Sequence, residues 1–468
     1  MHAEILTVGD ELCRGEIVDT NSSYLAARLW DLGITMRWMT SCNDVDGDLA
    51  TAIGQAVRRA DLVVCSGGLG PTEDDLTVDV AARLAGVAPA IDDAARGRME
   101  TWFAAAQGSR TLVTSSDSLA TIQLRQVRVP SGARVYVNPV GLAPGFEIAI
   151  GGVPVICVPG FPREVHAIWE RSLAARLVEL RETRGEPERI ARQIYRVFGR
   201  GESQISQACR GVMSEAKRGG DPDGLPGGEG RSPVASTGAT IHYQVKFPET
   251  LVKLVVRDRD REAAIARLAE LESRIRDRLA PYLYGVGEET LIERAIRRLL
   301  ASNQTVATAE SCTGGMIGEL LTTIPGSSNA FRGGAIVYSD AEKRRQLGVT
   351  EATLAAHGAV SEQTVREMAR GALERFGTTH AAAVSGIAGP GGGTAEKPVG
   401  TVWIGLASKR DGDPAIATRK LAWPSTRDQI RTLAAWWAIA MIDAAVPSDD
   451  PADAERARWI LSRGPRSA

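Results

Sequence analysis

Ser311 and Cys312 stand side by side in "ATAESCTGG", residues 307 to 315, immediately before two glycines. A short apolar run precedes the stretch and a helix-like run follows it. Many enzymes hold a nucleophile in such a place, where the free N–H groups and dipole of a helix N-terminus can stabilise an oxyanion. A serine there needs a base. The five histidines (His2, His166, His242, His357 and His380) form no zinc-type motif and supply no evident catalytic imidazole. "VYSDAEKRRQLGV" offers Tyr338 and Lys343 at the end of another strand-like run. A lysine whose pKa is lowered by burial can activate a neighbouring serine. "VSGIAGPGGG", residues 384 to 393, ends a third apolar run with Ser385, Gly386 and a pliable backbone. The plain alternative is three ordinary strand-to-helix turns, with Tyr338 in a core, Lys343 solvated and Cys312 a buried thiol.

A second group lies near the N-terminus, in "GDELCRGEIVDTN" (9 to 21) and "SGGLGPTEDDLT" (66 to 77). Asp10, Glu11, Asp19, Asp74 and Asp75 bring oxygen ligands suited to a divalent cation. Gly67, Gly68 and Gly70 would let backbone N–H groups approach a phosphate. Turn chemistry and acidic helix starts account for the same residues equally well. The glycine run lacks the GK[ST] ending of a nucleotide P-loop.

The elements that position these residues follow from periodicity. A chain of 468 residues exceeds one ordinary core, and two or three domains are expected. Up to about residue 180, apolar runs such as "AEILTVG", "ADLVVCSGG" and "GVPVICVPG" alternate with helical stretches. "NSSYLAARLWDLG" is one of these, with Asn21 as a candidate N-cap and Gly33 as its stop. Such alternation predicts an α/β fold with a parallel sheet. Residues 181–286 read as a small α+β module containing a Gly- and Pro-rich loop at 217–233. Residues 287–446 return to α/β alternation, opening with the amphipathic "EETLIERAIRRLLASN" and closing with "STRDQIRTLAAWWAIAMIDAA". The tail, 447–468, is polar and expected to be loose.

Hydrophobic residues make up 44% of the chain, charged residues 24%, and the formal net charge is −2. That balance gives no sign of a nucleic-acid or acidic-membrane partner. No apolar run approaches the roughly 18 residues of a membrane span, and no secretory signal is visible. A cytoplasmic location is expected. The six cysteines are scattered without a CxxC pair and suit buried free thiols.

"GDEL…G…DTN", "GGLGPTEDDLT", "NPVGLAPGF" and "PGFPREV" resemble the molybdopterin-binding-type domain of the CinA family. The resemblance implies a MoaB/MogA-like fold and a metal-dependent ADP-ribose pyrophosphatase. A divalent metal ion would sit at Asp10, Glu11, Asp74 and Asp75. Gly67, Gly68, Gly70 and Thr72 would line the phosphates, with Asn138, Pro139 and Gly145 nearby. Phe161 departs from the family, which more often has a smaller residue there. "FGRGESQI" resembles the family's KH-like module. A G-x-x-G spacing at 227–230 would suit an RNA clamp, but its acidic surroundings argue against phosphate contact.

The segment from "AESCTGG" through "YS..EK", "HGAVSE", "SGIAGP" and "KPVGTVW" resembles the CinA C-terminal domain and the nicotinamide mononucleotide deamidases. By that resemblance Ser311 is the nucleophile and Lys343 its base, and Tyr338 supports the proton path. Ser385 stands where relatives often carry threonine. Gly314, Gly315 and Gly386 line the substrate, and Arg427 holds its phosphate. No cofactor is implied for this reaction. Asp340 replaces a common asparagine and alters the charge beside Lys343. The whole would be a bifunctional homodimeric enzyme acting on small nucleotides, with no nucleic acid or membrane partner. The other readings are an accessory protein of competence or DNA damage, and a molybdopterin-handling protein.

Overall fold

The computed structural model describes residues 1–107, 124–183, 189–212 and 238–462. The chain divides into two compact units, Met1–Ile190 with Arg257–Arg261, and Ala191–Val256 with Glu262–Ala468.

The strands of the first unit are β1 (His2–Val8), β2 (Thr35–Cys42), β3 (Leu62–Ser66), the short pair β4 (Pro89–Ile91) and β5 (Arg128–Pro130), β6 (Arg134–Tyr136), β7 (Gly145–Ile150) and β8 (Val153–Val158). Six of them form one sheet in the order β2-β1-β3-β8-β7-β6. Its first four strands run parallel, and β7 and β6 are antiparallel additions. The buried runs "HAEILTV", "LVVCS" and "VPVICV" occupy its centre, as strands covered on both faces must. The edge strand β2, "TMRWMTSC", is half exposed along its length and carries no apolar run to betray it. Parallel alignment brings the C-terminal ends of β1, β3 and β8 to one side of the sheet, where open α/β folds bind ligands. Helix Thr20–Asp31 is capped by Asp19, whose side chain accepts from Ser22 N, and not by the expected Asn21. The Asn21 amide instead donates to Ser66 Oγ and Gly160 O.

In the second unit, β9 (Arg189–Phe198), β10 (Gly238–Lys246), β11 (Glu249–Asp258) and β12 (Leu283–Val286) form a sheet in the order β10-β11-β9-β12. The remaining strands, β13 (Val306–Glu310), β14 (Phe331–Ile336), β15 (His380–Gly386), β16 (Thr401–Ser408) and β17 (Ala415–Ala422), are ordered β14-β13-β15-β16-β17. β14, β13 and β15 are parallel, and β16 and β17 are antiparallel. β17 was not evident from periodicity, because Arg419 and Lys420 interrupt its apolar pattern at the sheet edge. Helix Leu291–Ala301 buries Leu291, Ile292, Ala295, Ile296 and Leu299, the face its spacing demands, and opens with a capping box between Thr290 and Glu293.

The expected loose tail is corrected in part. Pro451–Leu461 is a helix capped by Asp450, and it buries Arg456 and Ile460. Arg456 meets the fully buried Asp443 at 2.8 Å, and Arg294 and Arg298 donate to the same carboxylate. The stretch looks polar because its docking contact is a charge pair. The loop at 217–233, with its G-x-x-G spacing, lies outside the described residues. Among the described residues no helix is long and apolar enough to cross a membrane.

Candidate active site

The parallel order of β14, β13 and β15 brings two of the expected residues, Ser311 and Lys343, together at one end of the sheet. Ser311 follows β13 directly, and its N–H donates to Val384 O on β15. Val337 N donates to Glu310 O, so the chain leaving β14 passes beside the serine before helix Asp340–Leu347 begins. That helix turns Lys343 inward. The lysine is 1% exposed, and its Nζ lies 3.2 Å from Ser311 Oγ and 3.1 Å from Val337 O. Burial lowers its pKa below the usual lysine range, while the Asp340 carboxylate at 3.7 Å pulls in the opposite direction. Cys312 packs in the main core of the unit, and burial pushes its thiol up to about 12. The serine therefore has an amine partner, and the cysteine is held as an inert thiol.

Two residues outside the expected set hold the nucleophile turn. Glu310 is 1% exposed, and its carboxylate accepts from the N–H groups of Gly315, Ile317 and Gly318 at 2.9–3.0 Å. Arg431 donates to Cys312 O at 3.1 Å and Thr313 O at 2.9 Å. Gly314 and Gly315 take φ of 61° and 99°, a left-handed path that makes glycine the natural residue in this turn. The expectation that amides opening helix Met316–Thr322 serve an oxyanion is corrected, since Glu310 already takes three of them. Glu310 lay within the quoted motif, but only the folded turn shows its carboxylate reaching those N–H groups.

The rest of the expected set have other hydrogen-bond partners or packing contacts in this structure. Tyr338 is 62% exposed, and its hydroxyl accepts from Arg427 at 3.1 Å in place of joining the Ser311–Lys343 pair. β14 ends at Ile336, and Tyr338 lies two residues beyond it, at the strand end where it was expected. Arg427 also donates to Gly389 O at 2.6 Å, which sets its guanidinium between Tyr338 and the glycine-rich loop. Ser385 is buried, and its proton goes to Ala359 O at 2.7 Å. Gly386 ends β15 against Val402.

In the first unit, a cavity of about 410 Å³ opens where β1, β3 and β8 end. Glu11, Asp44, Asp74, Asp75, Gly67, Gly68, Gly70 and Thr72 are among its lining residues. The expected phosphate cradle is largely closed on itself. Asp75 accepts from Gly70 N, Thr72 N and Thr72 Oγ1 at 2.5–2.8 Å, and Gly67 N donates to Val158 O. Asp75 therefore staples a loop, and those amides are engaged within it. Asp10 accepts from Arg14 and from Asp44 N. Among the described residues, no three acidic, His or Cys side chains are grouped so as to hold a metal. The expected set of Asp10, Glu11, Asp74 and Asp75 is not grouped in that way in this structure. Burial raises the pKa of Asp44; the hydrogen bond from Asp10 N opposes the rise, and the charges of Asp10, Glu11 and Asp75 add to it.

Sequence comparison identifies the relatives of this chain. The profile of the CinA C-terminal domain matches residues 288–446, and that of a probable molybdopterin binding domain matches residues 4–179. A protein described as competence-damage inducible, from Symbiobacterium thermophilum, is 40% identical over 94% of this chain and 98% of its own length. A CinA-like protein of Anaeromyxobacter sp. strain K is 38% identical over 95% of this chain and all of its own. Another, from Myxococcus xanthus, is 37% identical over 94% and 97% respectively. With both profiles matched and relatives aligned from end to end, the chain belongs to the CinA family.

Proposed function

We propose that the Ser311–Lys343 pair hydrolyses the carboxamide of nicotinamide mononucleotide to nicotinate mononucleotide and ammonia. The observation that carries this reading is the 3.2 Å approach of Lys343 Nζ to Ser311 Oγ inside a buried site. Neutral Lys343 takes the hydroxyl proton as Ser311 Oγ bonds to the carboxamide carbon. When the C–N bond breaks, the ammonium returns the proton to the departing nitrogen, leaving an ester on Ser311. Water then attacks that ester with Lys343 again as base, which frees the carboxylic acid and restores the serine. The test is ammonia release from the substrate by the wild type and by Ser311, Cys312 and Lys343 variants.

The active lysine is the unprotonated one, so turnover rises with pH through the pKa of Lys343. Asp340 favours its ammonium form. Asp340→Asn is therefore expected to move the acid limb of the kcat profile to lower pH, and a move to higher pH would contradict the assignment. The linkage has a defined sign as well. Between the lowered folded pKa and the unfolded value, the unfolded chain holds more protons, so this lysine's contribution to stability rises with pH across that window. Arg427 offers its guanidinium to the substrate phosphate from the rim of the site. Arg427→Ala is expected to raise KM by about 10- to 100-fold, the worth of a charge-assisted pair, with a smaller change in kcat.

A second reading concerns the first unit. ADP-ribose is the ligand proposed for its cavity, with cleavage to AMP and ribose 5-phosphate. What favours it is a cavity large enough for a nucleotide. Five lining carboxylates, Glu11, Asp44, Asp74, Asp75 and Glu164, would repel a bare pyrophosphate, so the divalent cation is proposed to enter with the substrate and to neutralise its charge. AMP release is expected to require added Mg²⁺ and to fall at least about tenfold in Asp74→Ala. Release undiminished in chelator would reject the cation requirement.

A further inference from the structure

The carboxylate-lined side of the first unit's cavity leaves one feature unexplained: large apolar side chains left in solvent at the same opening. Phe161 is 69% exposed and Ile17 53% exposed, and both line the cavity. Val18, 83% exposed, lines a smaller adjoining space of about 90 Å³ that also includes Glu11, Ile17, Gly160 and Pro162. A single exposed apolar residue needs no explanation, but two at one opening with a third beside it point to a surface that a ligand covers.

The backbone that carries Phe161 is tightly held. Asn21 Nδ2 donates to Gly160 O at 2.7 Å, and Ser66 Oγ donates to Pro159 O at 3.1 Å. Just beyond, Glu164 N and Val165 N both donate to Phe161 O as helix Pro162–Ile168 begins. The ring is therefore presented on a fixed loop, which keeps the entropy cost of using it low. Close by are carboxylates, which accept hydrogen bonds. The pairing of an exposed aromatic face with acceptors suits a flat heteroaromatic ring that carries N–H donors at its edge.

We propose that Phe161 is the stacking platform for the purine base of the nucleotide in this cavity, with Ile17 covering the ring's edge and the cavity carboxylates receiving its exocyclic amino group. This rests on the nucleotide reading of the cavity and adds to it the residue that selects the base. The subsite needs no metal, because it binds the uncharged part of the ligand.

Adenosine is the probe, used with the full-length protein in chelator and measured by calorimetry. Wild type is expected to bind adenosine and not ribose. Phe161→Ala is expected to weaken adenosine by at least about tenfold, within the range that aromatic stacking contributes to a bound base, and Phe161→Trp to retain it. Because the side chain is exposed, the thermal midpoint of Phe161→Ala should match wild type. Equal adenosine affinity in wild type and Phe161→Ala, or no binding by wild type, overturns the proposal. The underlying reaction is tested separately through AMP release from ADP-ribose. Binding of adenosine without such release would retain the subsite and reject the pyrophosphatase. Release with a KM unchanged by Phe161→Ala would do the reverse.

Discussion

Ser311→Ala and Lys343→Ala are each expected to lower ammonia release from nicotinamide mononucleotide by about 10³-fold or more, while Cys312→Ala keeps activity near wild type. The two losses should not multiply in the double variant. Both variants remove the same proton transfer, and residues acting as a unit are strongly non-additive. Lys343→Arg should not rescue the reaction, because a guanidinium stays protonated and cannot accept the serine proton. The cysteine provides the internal control. Its thiol, raised to about 12, presents almost no thiolate at neutral pH. Loss of turnover in Cys312→Ala together with retention in Ser311→Ala would reverse the assignment. Burst kinetics with an ester substrate would report the covalent intermediate directly.

The second large effect is expected at Glu310, which is buried beneath the turn that carries Ser311. Its buried carboxylate collects the N–H groups of Gly315, Ile317 and Gly318. Truncation to alanine leaves these amides without that acceptor and opens a void beneath the turn. Hydrogen bonds to a charged group contribute about 1.5–3 kcal/mol each, and because bonds sharing one acceptor are not additive, losing the set should cost roughly 3–5 kcal/mol of unfolding free energy. Denaturant unfolding followed by tryptophan fluorescence measures the loss. Glu310→Gln keeps the shape but places an amide NH₂ where an acceptor is required. It should recover only part of the stability. Activity should fall with the turn's integrity, because the same turn carries Ser311. A Glu310→Ala variant as stable as wild type would show that the helix start needs no anion beneath it.

The family reading suggested by Ser311, Lys343 and the glycine motifs agrees with the sequence profiles, and the serine's approach to the lysine agrees with their strand-end positions. This was legible because the apolar runs before each motif had to become adjacent parallel strands, whose C-terminal ends share one edge. The amphipathic face of Leu291–Ala301 was equally readable, since its period is local. Edge strands β2 and β17 were not: β2 is partly exposed along its length, and in β17 the exposed Lys420 follows Arg419, which is buried and donates to Trp459 O and Ile460 O. The helix Pro451–Leu461 was hidden for a related reason: its anchor is Arg456 on Asp443, a pairing across the fold between residues that look like ordinary surface charges.

The sequence by itself determined the central buried strands, the amphipathic helices, the α/β character of the segments up to about 180 and from 287 to 446, and the set of polar residues at strand ends, because these depend on short-range spacing and side-chain chemistry. Tertiary structure decided what each polar group is engaged with. It tied Asp75 to its own loop, gave Tyr338 to Arg427, and placed Glu310 under the helix that was expected to hold an oxyanion. A hydrogen-bonding group is defined chemically by its residue type, but its availability depends on which partner reaches it first in three dimensions, and that is a property of the packed chain.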